Sequence, residues 1–304
     1  MSVRASALLA SLAVLAPAAS GAQPLTFEKT LTVGAAPTLD VSSGAGTITV
    51  HAAGGSAIVV KGRVEVRRGS NVPANAAELA RQVAAAPPIR QQGDAVEVGR
   101  ITDEATRQAV SISYDIAVPA AAAVSARAGS GNVSITGVNG AVKANSGSGD
   151  VLASTIGGDL DARTGSGDVV VKDAKKAANL STGSGRITAA LGGAGDVKAS
   201  TGSGDIELTG VTGLVAASTG SGSIGVAGTP TGDWRVSAAS GDVRVSVPGN
   251  TGFTIDASTA SGSLDVAAPL TVQGKIERRR IQGTIRGGGP TLRLSTASGD
   301  IAVR

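Results

Sequence analysis

Thr164-Gly165-Ser166-Gly167-Asp168-Val169-Val170-Val171 restates, with small changes, the stretch eighteen residues before it, Ser146-Gly147-Ser148-Gly149-Asp150-Val151-Leu152-Ala153. The same corner, Gly-Ser-Gly or Ala-Ser-Gly ahead of a polar and an aliphatic residue, stands at Ser130, Ser148, Ser166, Ser184, Ser203, Ser221, Ser240 and Ser261. The steps are 18, 18, 18, 19, 18, 19 and 21 residues, and the corner returns at Ser298. So short and regular a period is that of a solenoid, in which each repeat is one coil stacked on the last.

Within a repeat, apolar residues alternate with others, the pattern of a strand with one buried face. The strand after each corner turns Val133 and Ile135, Val151 and Ala153, Ile206 and Leu208, and finally Leu264 and Val266 inward. The second strand turns Val142 and Ala144, Leu160 and Ala162, Val197 and Ala199, Trp234 and Val236 to the same core. Aliphatic residues against alanine predict a thin, flat interior. The fold class expected is therefore all-β: a right-handed parallel β-solenoid of roughly 18-residue, two-strand coils, right-handed because parallel crossovers are. At about 4.8 Å per strand the regular coils would make a rod about 35–40 Å long.

Outward from this array the regularity fades. Leu39 and Val41, Ile48 and Val50, then Val64 and Val66 alternate around Gly44-Ala45-Gly46 and read as opening coils. Asn75 to Ala85 carries Leu79 and Val83 at helical spacing, bounded by Pro73 and by Pro87-Pro88, and predicts a short helical insertion. Val110 to Val118 alternates strictly and stops at Pro119. Gln273 to Gly289 is a basic, glycine-rich excursion, after which Leu292, Leu294, Ile301 and Val303 resume the period. The chain thus divides into a leader at 1–22, an N-terminal region of coils and cap at 23–128, and the regular repeats at 129–304.

The leader has a basic start at Arg4, an apolar run from Ala5 to Ala16, and Ser20-Gly21-Ala22, a small-residue site for cleavage after Ala22. It predicts export, to the periplasm or the cell surface. The absence of cysteine removes disulfides, thiolate chemistry and a lipid-modified N-terminal cysteine. No other apolar stretch approaches the length of a membrane span, so no transmembrane anchor is expected. The 44 glycines sit at fixed offsets beside alternating aliphatics, which speaks for tight corners rather than disorder. A formal charge of +4 says little about partners.

Three sets of residues could carry chemistry. The corner serines, with a second file at Ser181, Ser200, Ser218, Ser237, Ser258 and Ser295, read as turn hydroxyls satisfying one another; an ice- or sugar-binding array is the alternative. The acidic corner column holds Asp150, Asp168, Asp205, Asp242 and Asp300, and Asp150 with Asp168 is its one candidate metal pair. Arg186 interrupts the column. The nearest approach to a calcium-binding nonapeptide, Gly192-Gly193-Ala194-Gly195-Asp196, places its carboxylate one residue early, so neither metal nor other cofactor is expected. Arg278, Arg279 and Arg280, beside Lys275, are the densest charge and the candidate binding residues for an acidic envelope component or surface ligand. Without aromatics interleaved among them, nucleic acid is not an expected partner. The outward columns of the repeats bring no two carboxylates together, and the single histidine, His51, is expected to face solvent; catalytic residues are not expected.

The chain resembles the DUF4097 family of β-strand-repeat proteins, a group labelled as adhesins. The resemblance rests on Tyr114-Asp115-Ile116-Ala117-Val118-Pro119 leading into Val124-Ser125-Ala126-Arg127, on the train of Gly-Ser-Gly-Asp-Val/Ile corners, and on Ile281-Gln282-Gly283-Thr284-Ile285-Arg286-Gly287-Gly288-Gly289 with Ser295-Thr296-Ala297-Ser298-Gly299-Asp300-Ile301. It implies the repeat fold over nearly the whole mature chain and brings no catalytic or binding residues with it. The expected function is a non-enzymatic exported solenoid, a binding or structural module at the cell envelope. The alternatives are a degenerate polysaccharide-processing β-helix and a periplasmic scaffold for another envelope protein.

Overall fold

Alternation sets the inside and outside of every coil. Val151 and Ala153 are buried while Leu152 between them is half-exposed, and the next coil repeats this with Val169, Val171 and Val170. The three residues of one coil lie opposite the three of the next in parallel register, as do Val142, Lys143 and Ala144 opposite Leu160, Asp161 and Ala162. The computed structural model describes residues 25–69, 71–193, 195–267, 270–272 and 278–304. The leader at 1–22, and Lys275 within the basic excursion, lie outside the described residues.

Among the described residues two sheets face each other across one core, one of thirteen strands and one of fourteen. The fold is a mostly-β, parallel-dominated solenoid, as the period implies. The core is aliphatic and alanine-rich, with Trp234 its largest side chain; that indole is fully buried and donates from Nε1 to the Gly213 carbonyl at 3.0 Å.

The corners are built from inside by a file of hydroxyls that the reading of the serines overlooked. Ser146, Thr164 and Thr182 are buried. Thr182 Oγ1 donates to the Gly167 carbonyl of the coil before it at 2.9 Å and accepts from the Gly185 N–H of its own corner at 3.1 Å. Thr164 makes the same two bonds to Gly149 and Gly167. The corner glycines stack directly: a Cβ on Gly149 would overlap the carbonyl of Gly131. After the first 19-residue step the corner changes. Gly204, Gly222, Gly241 and Gly299 take φ between 131° and 155°, a region L side chains avoid. Their N–H groups now bond the next coil's serine carbonyl, as Gly222 does to Ser240 at 2.8 Å. The threonine then makes one bond across coils, Thr219 to Gly204 at 3.0 Å.

The coils do not all stack in chain order. The last coil, Thr291–Ser298 with Ile301–Val303, wedges between Trp234–Ser240 with Val243–Ser246 and Phe253–Ser261 with Leu264–Val266. Leu264–Val266 is thereby left at the edge of its sheet, so Leu264 and Val266, expected inside, are only half-buried. The excursion returns as Arg280–Ile285, antiparallel to Phe253–Ser261.

The N-terminal end repeats this device. The coil Thr38–Ser43 with Ile48–Ala53 sits between strands later in the chain, next to Ala123–Ala128 and Val133–Thr136 on one side and Ala95–Val98 and Val110–Pro119 on the other. Val64 and Val66 do not belong to a parallel coil: Ala57–Val66 runs antiparallel to both Leu25–Thr32 and Val110–Pro119, with Val64 buried and Val66 exposed. The expected helix is α1, Ala76–Ala85; it buries Ala76, Ala80 and Val83 and packs against these antiparallel strands. A second helix, α2 (Glu104–Ala109), was not read from sequence. Its signal was Asp103, whose carboxylate accepts from the Thr106 N–H at 2.7 Å as an N-cap.

Candidate functional site

The wedged N-terminal coil decides what the outer face of the fourteen-stranded sheet presents. In the regular coils that face reads Ser125, Lys143, Asp161, Asn179 and Lys198 across neighbouring strands, a mixed row without adjacent carboxylates. At the N-terminal end it differs. Thr38–Ser43 lies against Ala95–Val98 with Asp40 opposite Glu97, so two carboxylates meet on the outer face, contrary to the expectation drawn from the repeats alone. Sequence could not show this, because Asp40 and Glu97 are brought together only by the pairing of their strands.

Around this pair lies a groove of about 890 Å³, lined by Asp40, Arg90, Glu97, Ser125 and Lys143 among others. Each carboxylate is held by an arginine. Arg127 Nη1 donates to both oxygens of Asp40 at 2.9 Å, and Arg100 Nη1 to Glu97 at 2.9 Å. Ser125 Oγ is buried in the groove without a hydrogen-bond partner. The combination is a charged, ordered, partly desolvated surface able to hold a polar ligand by several hydrogen bonds.

The sequence-predicted residues fall elsewhere. Arg278 and Arg279 stand exposed in the turn before the Arg280–Ile285 strand, while Arg280 donates to Asp256 at 3.3 and 3.4 Å. All three arginines are exposed, and Arg280 is also tied to the sheet through Asp256.

Asp150 and Asp168 are neighbours in the column, but each spends an oxygen on backbone. Asp150 Oδ1 accepts the Asp168 N–H at 2.9 Å, and Asp168 Oδ1 accepts that of Arg186 at 2.8 Å. Asp205 and Asp242 do the same for Ser223 and Asp300. The column is a ladder that carries hydrogen bonds from coil to coil. At its end Asp300 accepts from the Ser263 N–H at 2.8 Å and its hydroxyl at 2.9 Å. The N–H bond, then the hydroxyl bond, hold the Asp300 carboxyl below the ordinary carboxylate range. Among the described residues, no three or more His, Cys, Asp or Glu side chains converge as a metal site would require.

His51 is exposed, with Nδ1 3.3 Å from Asp115. The outer serine file is half-exposed at Ser181, Ser200, Ser237 and Ser258 and exposed at Ser218 and Ser295, and Ser200 donates to Ser181 at 3.4 Å. Tyr114 is fully buried, its ring edge-on to Phe27 at 6.4 Å between centroids, and burial raises its hydroxyl pKa. No helix among the described residues is long and apolar enough to cross a membrane.

Solved structures similar to this chain include a candidate adhesin from Bacteroides fragilis, 14% identical over 92% of this chain and 97% of that one, at a TM-score of 0.45. One from Parabacteroides merdae is 12% identical over 92% and 96%, at 0.33. A candidate cell adhesion protein from Clostridium sporogenes is 10% identical over 92% and 99%, at 0.25. At these values the likenesses carry no further argument. No curated protein matches the sequence. The model of one family, Toastrack DUF4097, matches residues 36–200 and again 164–304, spanning the stacked corners, both wedged coils and the groove at the N-terminal one. The chain belongs to the Toastrack DUF4097 family.

Proposed function

We propose that the chain is a non-enzymatic, exported solenoid that binds an envelope component through the outer face of its fourteen-stranded sheet, at the groove around Asp40, Ser125 and Lys143. Its place is the periplasm or the cell surface. The observation that carries this reading is the groove itself, about 890 Å³ on a rigid sheet, with charged side chains of both signs at its walls. Stacked strands hold those side chains at fixed spacing, which lowers the entropy lost on binding.

Fluorescently labelled mature chain incubated with envelope fragments tests it. Wild type should sediment with them, and Arg90→Glu with Lys143→Glu should reduce the bound fraction at least fivefold. Equal binding by that variant refutes the groove as the binding face. The adjacency of Asp40 and Glu97 favours one competing reading, polysaccharide processing, since glycoside hydrolysis uses paired carboxylates. In this chain both are engaged as ion-pair acceptors. Reducing ends released from acidic polysaccharide by wild type, and lost in Glu97→Gln, would establish the enzyme instead.

A further inference from the structure

A second cavity, of about 650 Å³, opens farther along the same strands, where α2 meets the Gly44 and Gly129 corners. Four arginines reach its wall from four separate segments: Arg67, Arg100, Arg107 and Arg127. One acidic residue, Glu104, lines it with them, and Gln108 donates to Glu104 at 3.1 Å. Arg100 and Arg127 are paired with Glu97 and Asp40. Arg67 and Arg107 make no ion pair within 4 Å among the described residues. Arg67 Nη1 instead donates to the Arg107 backbone carbonyl at 3.2 Å, which ties Arg67 to α2 beside the cavity that both arginines line. Asp103, the N-cap of α2, feels the charge of Arg107, but its oxygen is already bonded to Thr106.

The floor of this cavity carries a second signal. The Tyr114 hydroxyl is buried there without a hydrogen-bond partner. A buried hydroxyl left unpaired is costly, so a fold rarely keeps one without use. Gly99 passes over it at φ 84°, and a Cβ at that position would stand 2.9 Å from the hydroxyl oxygen and overlap the Ser42 carbonyl. The Gly99 backbone therefore lies close to the hydroxyl, at a point where no side chain would fit between the cavity and the ring. Ile101, Val110 and Ile112 give the remaining wall an apolar face, and the volume lies within the usual range for a small-molecule site.

We propose that this cavity binds a sugar-sized organic oxyanion, with the anionic group between Arg67 and Arg107 and a ligand oxygen beside Gly99 completing the Tyr114 hydroxyl. Arginine suits this because its planar fork pairs with carboxylate and phosphate alike. The carboxylate of a uronic acid and the phosphate of a sugar phosphate share that chemistry. This inference goes beyond the groove and does not depend on it.

Isothermal titration of the mature chain at low salt, with glucuronate, glucose 6-phosphate, inorganic phosphate and glucose, tests it. At least one of the two acidic sugars should bind at millimolar Kd or tighter, with glucose at least tenfold weaker. Arg67→Gln with Arg107→Gln should weaken that binding at least tenfold, and Tyr114→Phe about three- to tenfold. Both arginines are exposed, so the double variant should melt as wild type does; Tyr114→Phe, which removes only an unpaired hydroxyl, should melt at or above it. Binding by neither acidic sugar, or undiminished binding in the arginine variant, overturns the site. Inorganic phosphate binding as tightly as glucose 6-phosphate, with glucuronate silent, overturns the sugar-sized part of the proposal. The Arg90→Glu, Lys143→Glu variant should bind the acidic sugar as wild type does, so the groove and this cavity fail separately.

Discussion

Replacing Thr182 by valine removes one hydroxyl and keeps the shape of the side chain, so no cavity enters the comparison. Thr182 is buried, and its oxygen serves two backbone groups at once, the Gly167 carbonyl and the Gly185 N–H. Valine leaves both unpaired in the interior of the corner. At roughly 1–3 kcal/mol for each buried group left without a partner, the loss should be about 2–6 kcal/mol. Thr219 occupies the same file two coils on, but there the Gly222 N–H bonds the Ser240 carbonyl and the threonine serves only the Gly204 carbonyl. Thr219→Val should therefore cost about 1–3 kcal/mol, half as much. The chain already carries an instance of this economy: Ala238 stands opposite Thr219 and Thr296 in the file, in the corner type that needs one bond fewer. Urea unfolding followed by far-UV circular dichroism, run on both variants beside wild type, measures the difference. Thr219→Val proving as damaging as Thr182→Val would refute the claim that the corner changes its hydrogen-bonding scheme after the 19-residue step.

Leu208 is fully buried and Glu207 beside it exposed; Leu208→Asp should cost several kcal/mol and Glu207→Lys less than about 0.5 kcal/mol, and the reverse order in equilibrium denaturation would overturn the inward and outward assignment of the repeat. Because donation from Ser263 lowers the Asp300 pKa, this carboxylate stabilises the fold above its unfolded value near about 4 and ceases to as pH falls through its lower folded value. Asp300→Asn, which keeps an acceptor oxygen, should flatten the acid limb of the urea midpoint below about pH 5, and an unchanged limb would show that the ladder's end does not titrate in this way. Chelator should leave the melting temperature of the mature chain unchanged, whereas a rise of several degrees with added calcium would restore Asp150 and Asp168 as ligands. Placing Asp at Leu8, Leu9 and Leu12 should trap unprocessed precursor in the cytoplasm; normally cleaved protein found outside it would refute the leader.

The period of eighteen and the alternation within it were enough to set the strands, their register and the side each residue faces. Both are local: Val169 must point inward if Val151 does, because strand side chains alternate and the coils stack in phase. The helix at Ala76–Ala85 was legible for the same reason, its apolar spacing being a property of a few adjacent residues. The order of the coils at the two ends was not. Each coil offers the same inward pattern and the same corner, so parallel pairing fits any coil beside any other, and nothing local says that Ser298 lies between Ser240 and Ser261. That choice was left to the tertiary structure, where the antiparallel return of Arg280–Ile285 along the outer side of Phe253–Ser261 leaves the final coil the slot within the stack. The same freedom at the other end put Thr38–Ser43 beside Ala95–Val98, and with it Asp40 beside Glu97 and four arginines around one cavity. The repeat thus specified a surface that is regular along its length, while the chemistry gathered at its N-terminal end arose from pairings between residues far apart in the chain, which no period encodes.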